Sequence, residues 1–211
     1  MTNDVSNTND LKLTAMPTPN PNTIKFLMEY QFLPVGSLEF TDRERAEKSS
    51  LPLRLLEIEG ISGVLVGTNF VSISKESEAG WDTVLDPATE VIKAMVGVEE
   101  TLLDPQLITD IEDKMADGDE VVQRIKEILD HEIRPAIAMD GGDCQFVSFV
   151  DGVVTLQLQG ACSSCPSATM TLKMGIENRL KEFGKLDSID LIEFDSTKNL
   201  LLENFNLRFI E

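Results

Sequence analysis

The chain has 211 residues, with 18 Lys and Arg against 37 Asp and Glu for a net charge of −19, which repels phosphate backbones and anionic lipid surfaces and speaks against nucleic acid or a membrane as partner. Hydrophobic content of 42% with 6% aromatics suits two small cores built on Val, Ile and Leu, and no stretch approaches the length of a membrane span. Three cysteines are too few for a disulfide scaffold and leave a thiol over in any pairing, the pattern of a reducing compartment.

Residues 1 to 15 are polar, lack a hydrophobic period and read as a disordered tail. Met1 to Leu13 have neither the basic head of a signal peptide nor the Arg-rich pattern of a transit peptide, so the expected location is cytoplasmic. Pro17, Pro19 and Pro21 impose an extended approach to a strand at Thr23 to Glu29. The charged run Asp42 to Lys48 reads as a solvated face without chemistry. Ser50-Leu51-Pro52 reads as an N-cap and first turn, opening a helix through Leu53, Leu55, Leu56 and Ile58 that stops at Gly60. Ile61 to Val66 and Phe70 to Ser74 make a hairpin around Gly67-Thr68-Asn69. Trp81 to Met95 has the spacing of an amphipathic helix, with Asp86-Pro87 as a restart or kink and Trp81 as a packing anchor. Between Glu99 and Glu120, nine acidic residues face the single basic Lys114. This composition predicts a linker that repels itself and holds two domains apart, although Leu102, Leu103, Leu107, Ile108 and Ile111 are spaced for one short helix.

The second half starts with Val121, Val122, Ile125, Ile128, Leu129 and Ile133 at helical spacing, a helix that Pro135 is expected to limit. His131, the only histidine, falls among polar positions and reads as solvated. Asp140-Gly141-Gly142-Asp143 is a turn; no Gly-Lys-Ser follows it, which argues against a phosphate loop. Cys144 to Val150 and Val153 to Gln159 flank Asp151-Gly152 as a second hairpin. After Gly160 come Cys162 and Cys165, and Pro166 opens a helix in which Met170, Leu172, Met174, Ile176, Leu180 and Phe183 supply apolar contact until Gly184. Ser188 to Phe194 is a last strand, and Ser196 to Glu211 is an apolar extension that needs covering. The predicted class is α+β: two small mixed domains, the second ordered helix-strand-strand-helix-strand, joined by the acidic linker.

The chemistry centres on Gly160-Ala161-Cys162-Ser163-Ser164-Cys165-Pro166-Ser167. Two thiols two residues apart, next to a helix start whose N–H groups favour negative charge, are placed to be thiolates. An iron–sulfur cluster or a structural zinc commonly takes four, so a second chain must supply the rest unless the pair does redox chemistry alone. Nothing else in the sequence offers an acid–base pair, a nucleophile triad or a nucleotide loop, and no enzyme is expected.

Around these cysteines, and in Asp140-Gly141-Gly142-Asp143 and the hairpin, the chain resembles the NifU-like C-terminal domain of the Nfu family of iron–sulfur cluster carriers. Pro19-Asn20-Pro21-Asn22-Thr23-Ile24-Lys25-Phe26, Leu55-Leu56-Glu57-Ile58-Glu59-Gly60-Ile61 and Thr68-Asn69-Phe70-Val71-Ser72-Ile73 resemble the Nfu N-terminal domain. The resemblance implies domains at about 16–97 and 118–195, with 98–117 as linker and 196–211 as extension. It also implies a homodimer in which Cys162 and Cys165 of each chain bind one [4Fe–4S] cluster, received from an upstream donor and passed to apo iron–sulfur proteins. Cys144 departs from the Val or Ile usual in the family.

Two other functions fit a Cys-x-x-Cys: a thiol–disulfide oxidoreductase and a zinc-clasped dimeric adaptor. Against the first, such folds need a strand leading to the first cysteine within a strand-helix-strand unit and a proline from a later strand facing the disulfide, and no proline follows Pro166. For Cys144, a two-residue turn at Asp151-Gly152 pairs Val150 with Val153 and, counted outward, places Cys144 opposite Gln159 on the polar face with Ser148, Thr155 and Gln157. Val147, Phe149, Val154, Leu156 and Leu158 are then the apolar face, and Cys144→Ser is expected to leave cluster content and dimerisation nearly intact.

Overall fold

The computed structural model describes residues 11–98, 101–150, 152–163, 174–180, 182 and 191–194. In the first half, strands β1 (Leu13–Pro17), β2 (Thr23–Met28), β3 (Leu38–Phe40), β4 (Ile61–Val66) and β5 (Phe70–Lys75) form one antiparallel sheet in the order β1-β2-β5-β4-β3. Alternation along the strands divides it cleanly. Phe26, Val64, Val66, Val71, Ile73, Leu38 and Phe40 enter a core shared with the helices. Lys25, Ser72, Leu65 and Glu39 are the opposite set, and the strand registers align them in one row across the other face.

Helix α1 (Arg43–Ala46) is capped by Asp42, whose carboxylate accepts from the Arg45 amide at 2.7 Å. Helix α2 (Ser50–Leu56) begins one residue before expectation, with Ser49 as N-cap. Helix α3 (Trp81–Met95) runs through Pro87 as one element and buries Val84, Ala88, Ile92 and Met95 at helical spacing. Trp81 packs on this core and donates its indole N–H to the Pro21 carbonyl at 2.9 Å, as an anchor should.

Three features differ from the sequence reading. Strand β1 starts inside the stretch expected to be a tail, because pairing Leu13 with Met28 and Ala15 with Phe26 gives its backbone partners that a polar composition does not reveal. Strand β3 was not anticipated, being three residues long and having the charged Glu39 at its centre. The acidic segment is not a free spacer. Leu102 and Leu103 are buried in the first core, and helix α4 (Pro105–Ala116), capped by Asp104, adds Ile111. Backbone bonds fasten it to α2: the Leu51 amide donates to Leu102 O at 3.2 Å, and the Asp104 amide to Ser49 Oγ at 3.0 Å. Apolar burial outweighs like-charge repulsion because the carboxylates stay in water, where screening leaves each pair little energy.

The second half opens with α5 (Glu120–Ile128), capped by Asp119, followed by a π-helical turn (Leu129–Ile133) and α6 (Arg134–Met139). Pro135 therefore does not end the helical run. The wider turn lets a fresh helix start, and Pro135 lies in its first turn, where an amide hydrogen has no helical acceptor. Strands β6 (Gly142–Val150) and β7 (Val153–Gly160) are antiparallel, and β8 (Leu191–Phe194) lies parallel to β7. A helix at residues 174–180, α7, buries Ile176 and Leu180 one turn apart against α5, the π turn and the sheet. Met174 is exposed rather than a core filler, while Met170, Leu172 and Phe183 lie outside the described residues. The helix-strand-strand-helix-strand order of an α+β domain is thus present.

Truncating the buried side chains of the acidic segment tests its docking. Leu102→Ala or Leu103→Ala should each lower stability by about 2–4 kcal/mol in urea unfolding. A tether without packing would change by less than about 0.5 kcal/mol.

Candidate functional site

Strand β7 leaves the second sheet at Gly160, which adopts a left-handed φ of +60°. The turn that follows is closed locally: the Ser163 amide donates to Gly160 O at 3.2 Å and the Ser163 hydroxyl to the same oxygen at 2.8 Å. Ala161 donates its amide to Gly141 O at 3.3 Å, tying the turn to the Asp140-Gly141-Gly142-Asp143 segment. Cys162 is 9% exposed and belongs to the second core. Its sulfur rests on the bare backbone of Gly142, where an added Cβ would come within 2.4 Å of it. Cys165 and Pro166 lie outside the described residues, so the structure describes Cys162 alone of the expected pair. Among the described residues no group of three or more His, Cys, Asp or Glu is placed to hold a metal ion.

Cys144 is not where simple hairpin counting puts it. The two-residue turn is present, with Val150 opposite Val153, but an extra residue at Val147 bulges β6, so that Phe146 pairs with Leu156 and Cys144 with Leu158. One inserted residue reverses the side-chain alternation beyond it. Cys144 therefore joins Val154, Leu156 and Leu158 in the core, 1% exposed, and Val147, expected in that core, faces outward. Burial pushes the Cys144 thiol well above its ordinary range, with the Asp143 carboxylate adding to the effect. A thiol held protonated in this way is a poor nucleophile and a poor ligand.

Beside Cys144 the domains are joined by a charged network. Arg134 donates through Nε to Asp143 Oδ1 at 2.8 Å, through Nη2 to Asp143 Oδ2, and through Nη1 to Asp130 Oδ1 at 2.7 Å. Burial alone would lower the Arg134 pKa, but the hydrogen bonds and charge of Asp143, then of Asp130, hold it above its ordinary value. The Asp143 carboxylate also accepts from the Cys144 amide at 2.8 Å and from the Ser37 hydroxyl of the first domain. A cavity of about 360 Å³ opens here, lined by Lys126, Asp130, Arg134, Cys144 and Met115 among others. Besides Arg134, Lys126 is engaged there: its Nζ donates to Lys114 O at 2.5 Å and to Asp117 O, and lies 5.4 Å from the Phe146 ring centre. His131 is solvent-exposed as expected, with Nδ1 2.9 Å from Glu127 O.

The sequence reading missed Asn20, Ser37, Glu39 and Arg134. Arg134 and Asp143 carry opposite charges nine residues apart, a signal that becomes readable only once the π turn and the glycine turn bring them together. Strand β7, helix α7 and the parallel strand β8 make a strand-helix-strand unit with Cys162 just past its first strand, as the predicted element order implies. The argument against a thiol–disulfide oxidoreductase is the lack of a later proline.

Fold and site define an α+β protein with two sheets and two cores that buries a cysteine just past the end of strand β7. Two family models match: "Scaffold protein Nfu/NifU N terminal" over residues 13–99 and "NifU-like domain" over residues 125–185. Among similar curated proteins, the "NFU1 iron-sulfur cluster scaffold homolog, mitochondrial" of Drosophila persimilis is 37% identical over 198 residues, covering 92% of this chain and 69% of that protein. The protein of the same name from Drosophila grimshawi is 37% identical over 200 residues, covering 92% and 66%. The chain thus spans about two thirds of the length of these relatives. A solved NifU-like protein from Saccharomyces cerevisiae covers 45% of this chain and 86% of its own, at 19% identity and a TM-score of 0.39. The chain belongs to the Nfu family of iron–sulfur cluster scaffold proteins.

The relatives are named mitochondrial, which overturns the cytoplasmic expectation. Cysteine usage reports a reducing environment, and this property does not separate the cytosol from an organelle matrix.

The protonated state of Cys144 carries a sign. In the folded chain the thiol stays protonated above the ordinary value of 9.0, whereas in the unfolded chain it ionises there, so the unfolded state binds fewer protons and stability falls as pH rises past 9.0. Urea unfolding of the wild-type chain and Cys144→Ala should therefore converge or cross above that pH. At neutral pH, Cys144→Ser should cost about 1–3 kcal/mol by burying a hydroxyl in an apolar site, contrary to the near-silent substitution expected from the unbulged hairpin.

Proposed function

We propose that the chain is a carrier, not an enzyme, which holds a [4Fe–4S] cluster between two copies through Cys162 and Cys165 of each and delivers it to apo iron–sulfur proteins. The cluster is cargo, received from an upstream donor in the mitochondrion, the compartment in the relatives' names. The observation that carries this reading is the thiol count within a scaffold family. The chain has three cysteines, and Cys144 is committed to the second core, so one copy has two thiols for a cluster that takes four. A two-fold pairing of identical loops supplies the others.

A ligand loop at the end of a strand suits transfer as well as binding. It must hold the cluster firmly enough to survive and leave it open enough for a recipient thiolate to displace the carrier's. The strand-helix-strand unit around Cys162 favours one competing reading, a dithiol that cycles through a disulfide.

Anaerobic reconstitution with iron and sulfide separates them. The expected product is brown, carries about four iron and four sulfide per two chains, and elutes as a dimer while the cluster-free chain elutes as a monomer. Cys162→Ser and Cys165→Ser should each abolish the visible absorption and the size shift. A colourless dimer holding zinc, or a colourless monomer that reduces disulfides catalytically, would overturn the assignment.

A further inference from the structure

Gly142 opens strand β6, opposite Gly160 at the end of β7. Unlike Gly141 and Gly160, whose φ angles are +76° and +60°, it does not adopt the left-handed region, so its backbone does not call for glycine. The space above it does. A Cβ at Gly142 would come within 2.4 Å of Cys162 Sγ, 3.0 Å of Gln159 O and 3.1 Å of Cys162 Cβ. Cys162 supplies two of these three nearest atoms, and its sulfur is the closest of them.

Residues two apart on a strand share a face, so a side chain at position 142 would stand beside that of Cys144. The Cys162 sulfur fills that place and extends the inward row of β6. Both thiols belong to the second domain's own core, Cys144 at 1% exposure and Cys162 at 9%. Cys162 also adds to the upward push on the Cys144 thiol, as a near neighbour does. Contacts within the same domain hold the residues on either side of it: the Ala161 amide donates to Gly141 O, and the Ser163 amide and hydroxyl donate to Gly160 O.

We propose that Gly142 is a positioning residue for the cluster site: its missing side chain leaves a socket on β6 that holds the Cys162 sulfur against the core of the second domain. This inference rests on the reading of Cys162 as a cluster ligand. The socket sets where that ligand stands and how far its thiol is sheltered from alkylating reagents. Gly142→Ala puts a methyl group where the sulfur lies. The sulfur is one rotatable bond from the backbone, so it yields by turning out of the socket and β6 stays in place.

The test uses the full chain as wild type, Gly142→Ala, Cys162→Ala and the double variant. Iodoacetamide labelling of the cluster-free proteins, with fragment mass spectrometry, gives a rate for each cysteine. Gly142→Ala should speed the labelling of Cys162 by about tenfold and leave Cys144 as slow as in the wild type. Urea unfolding adds a readout that general loosening would not move. Gly142→Ala should lower the midpoint, and in the Cys162→Ala background, where no sulfur is in the way, it should lower it by less than about half as much. If Gly142→Ala does not fold, the double variant decides: a folded double variant supports the socket, and an unfolded one overturns it. A folded Gly142→Ala with unchanged Cys162 labelling, or equal losses in the two backgrounds, also overturns it. Iron and sulfide content after anaerobic reconstitution is read separately, and Gly142→Ala should hold at most about half of the wild-type content. Equal content would overturn its role in the cluster site. A wild type that takes up no cluster, with labelling and unfolding as expected, would keep the socket and refute the carrier, whereas wild-type uptake with unchanged labelling would do the reverse.

Discussion

Gly160 is the residue through which the two domains and the cysteine loop depend on one another. Its left-handed φ ends strand β7, its amide is taken by Glu39, and its missing side chain is what admits Leu65. Had any other residue stood there, Cβ would have met Leu65 on one side and the Gly141 carbonyl, 2.8 Å away, on the other. The backbone would have to rise off the sheet, separating Asn20 from Ala161 and Ser37 from Asp143 and Gln159. Such an interface is polar and shallow. Each of its hydrogen bonds contributes about 1 kcal/mol net, so the contact depends on several of them acting together.

The elements with clear periodicity were legible in the sequence. The hairpin of β4 and β5 and the helix Trp81–Met95 follow from alternation and helical spacing, and the cysteine loop stands out by composition alone. What escaped was set by contacts distant in sequence. Nothing local shows that β1 gains a partner in β2, that Leu102 and Leu103 find a core, or that Ser37 reaches Asp143, more than a hundred residues away. In each case the local sequence did not show which distant element would supply the partner, and the tertiary contact decided the burial.

Charge misled in an instructive way. A net charge of −19 and an acidic middle segment suggested domains held apart, yet the seam includes buried charges that have polar partners: an opposite charge for Arg134 and Asp143, a carbonyl for Lys25 and the Gly160 amide for Glu39. Arg134 pairs with both Asp130 and Asp143, and Lys25 meets Ala138 O while burial draws its pKa down against the pull of Asp140. The excess carboxylates lie elsewhere, in water, where they set solubility and the sign of the long-range field rather than the domain arrangement.

The bulge at Val147 has the largest consequence per residue. Without it, Cys144 would sit on the polar face of the hairpin; with it, the thiol joins the core that also holds Cys162. The buried position suppresses ionisation, which withdraws from chemistry the one thiol outside the loop. In the proposed carrier, two thiols per chain then remain for a cluster that takes four, and an even split between two identical chains would leave no thiolate unmatched. A single inserted residue in a hairpin thereby separates the roles of the thiols: by turning Cys144 inward, it places this thiol in the core, and the cysteine pair that follows β7 is left for the shared site proposed above.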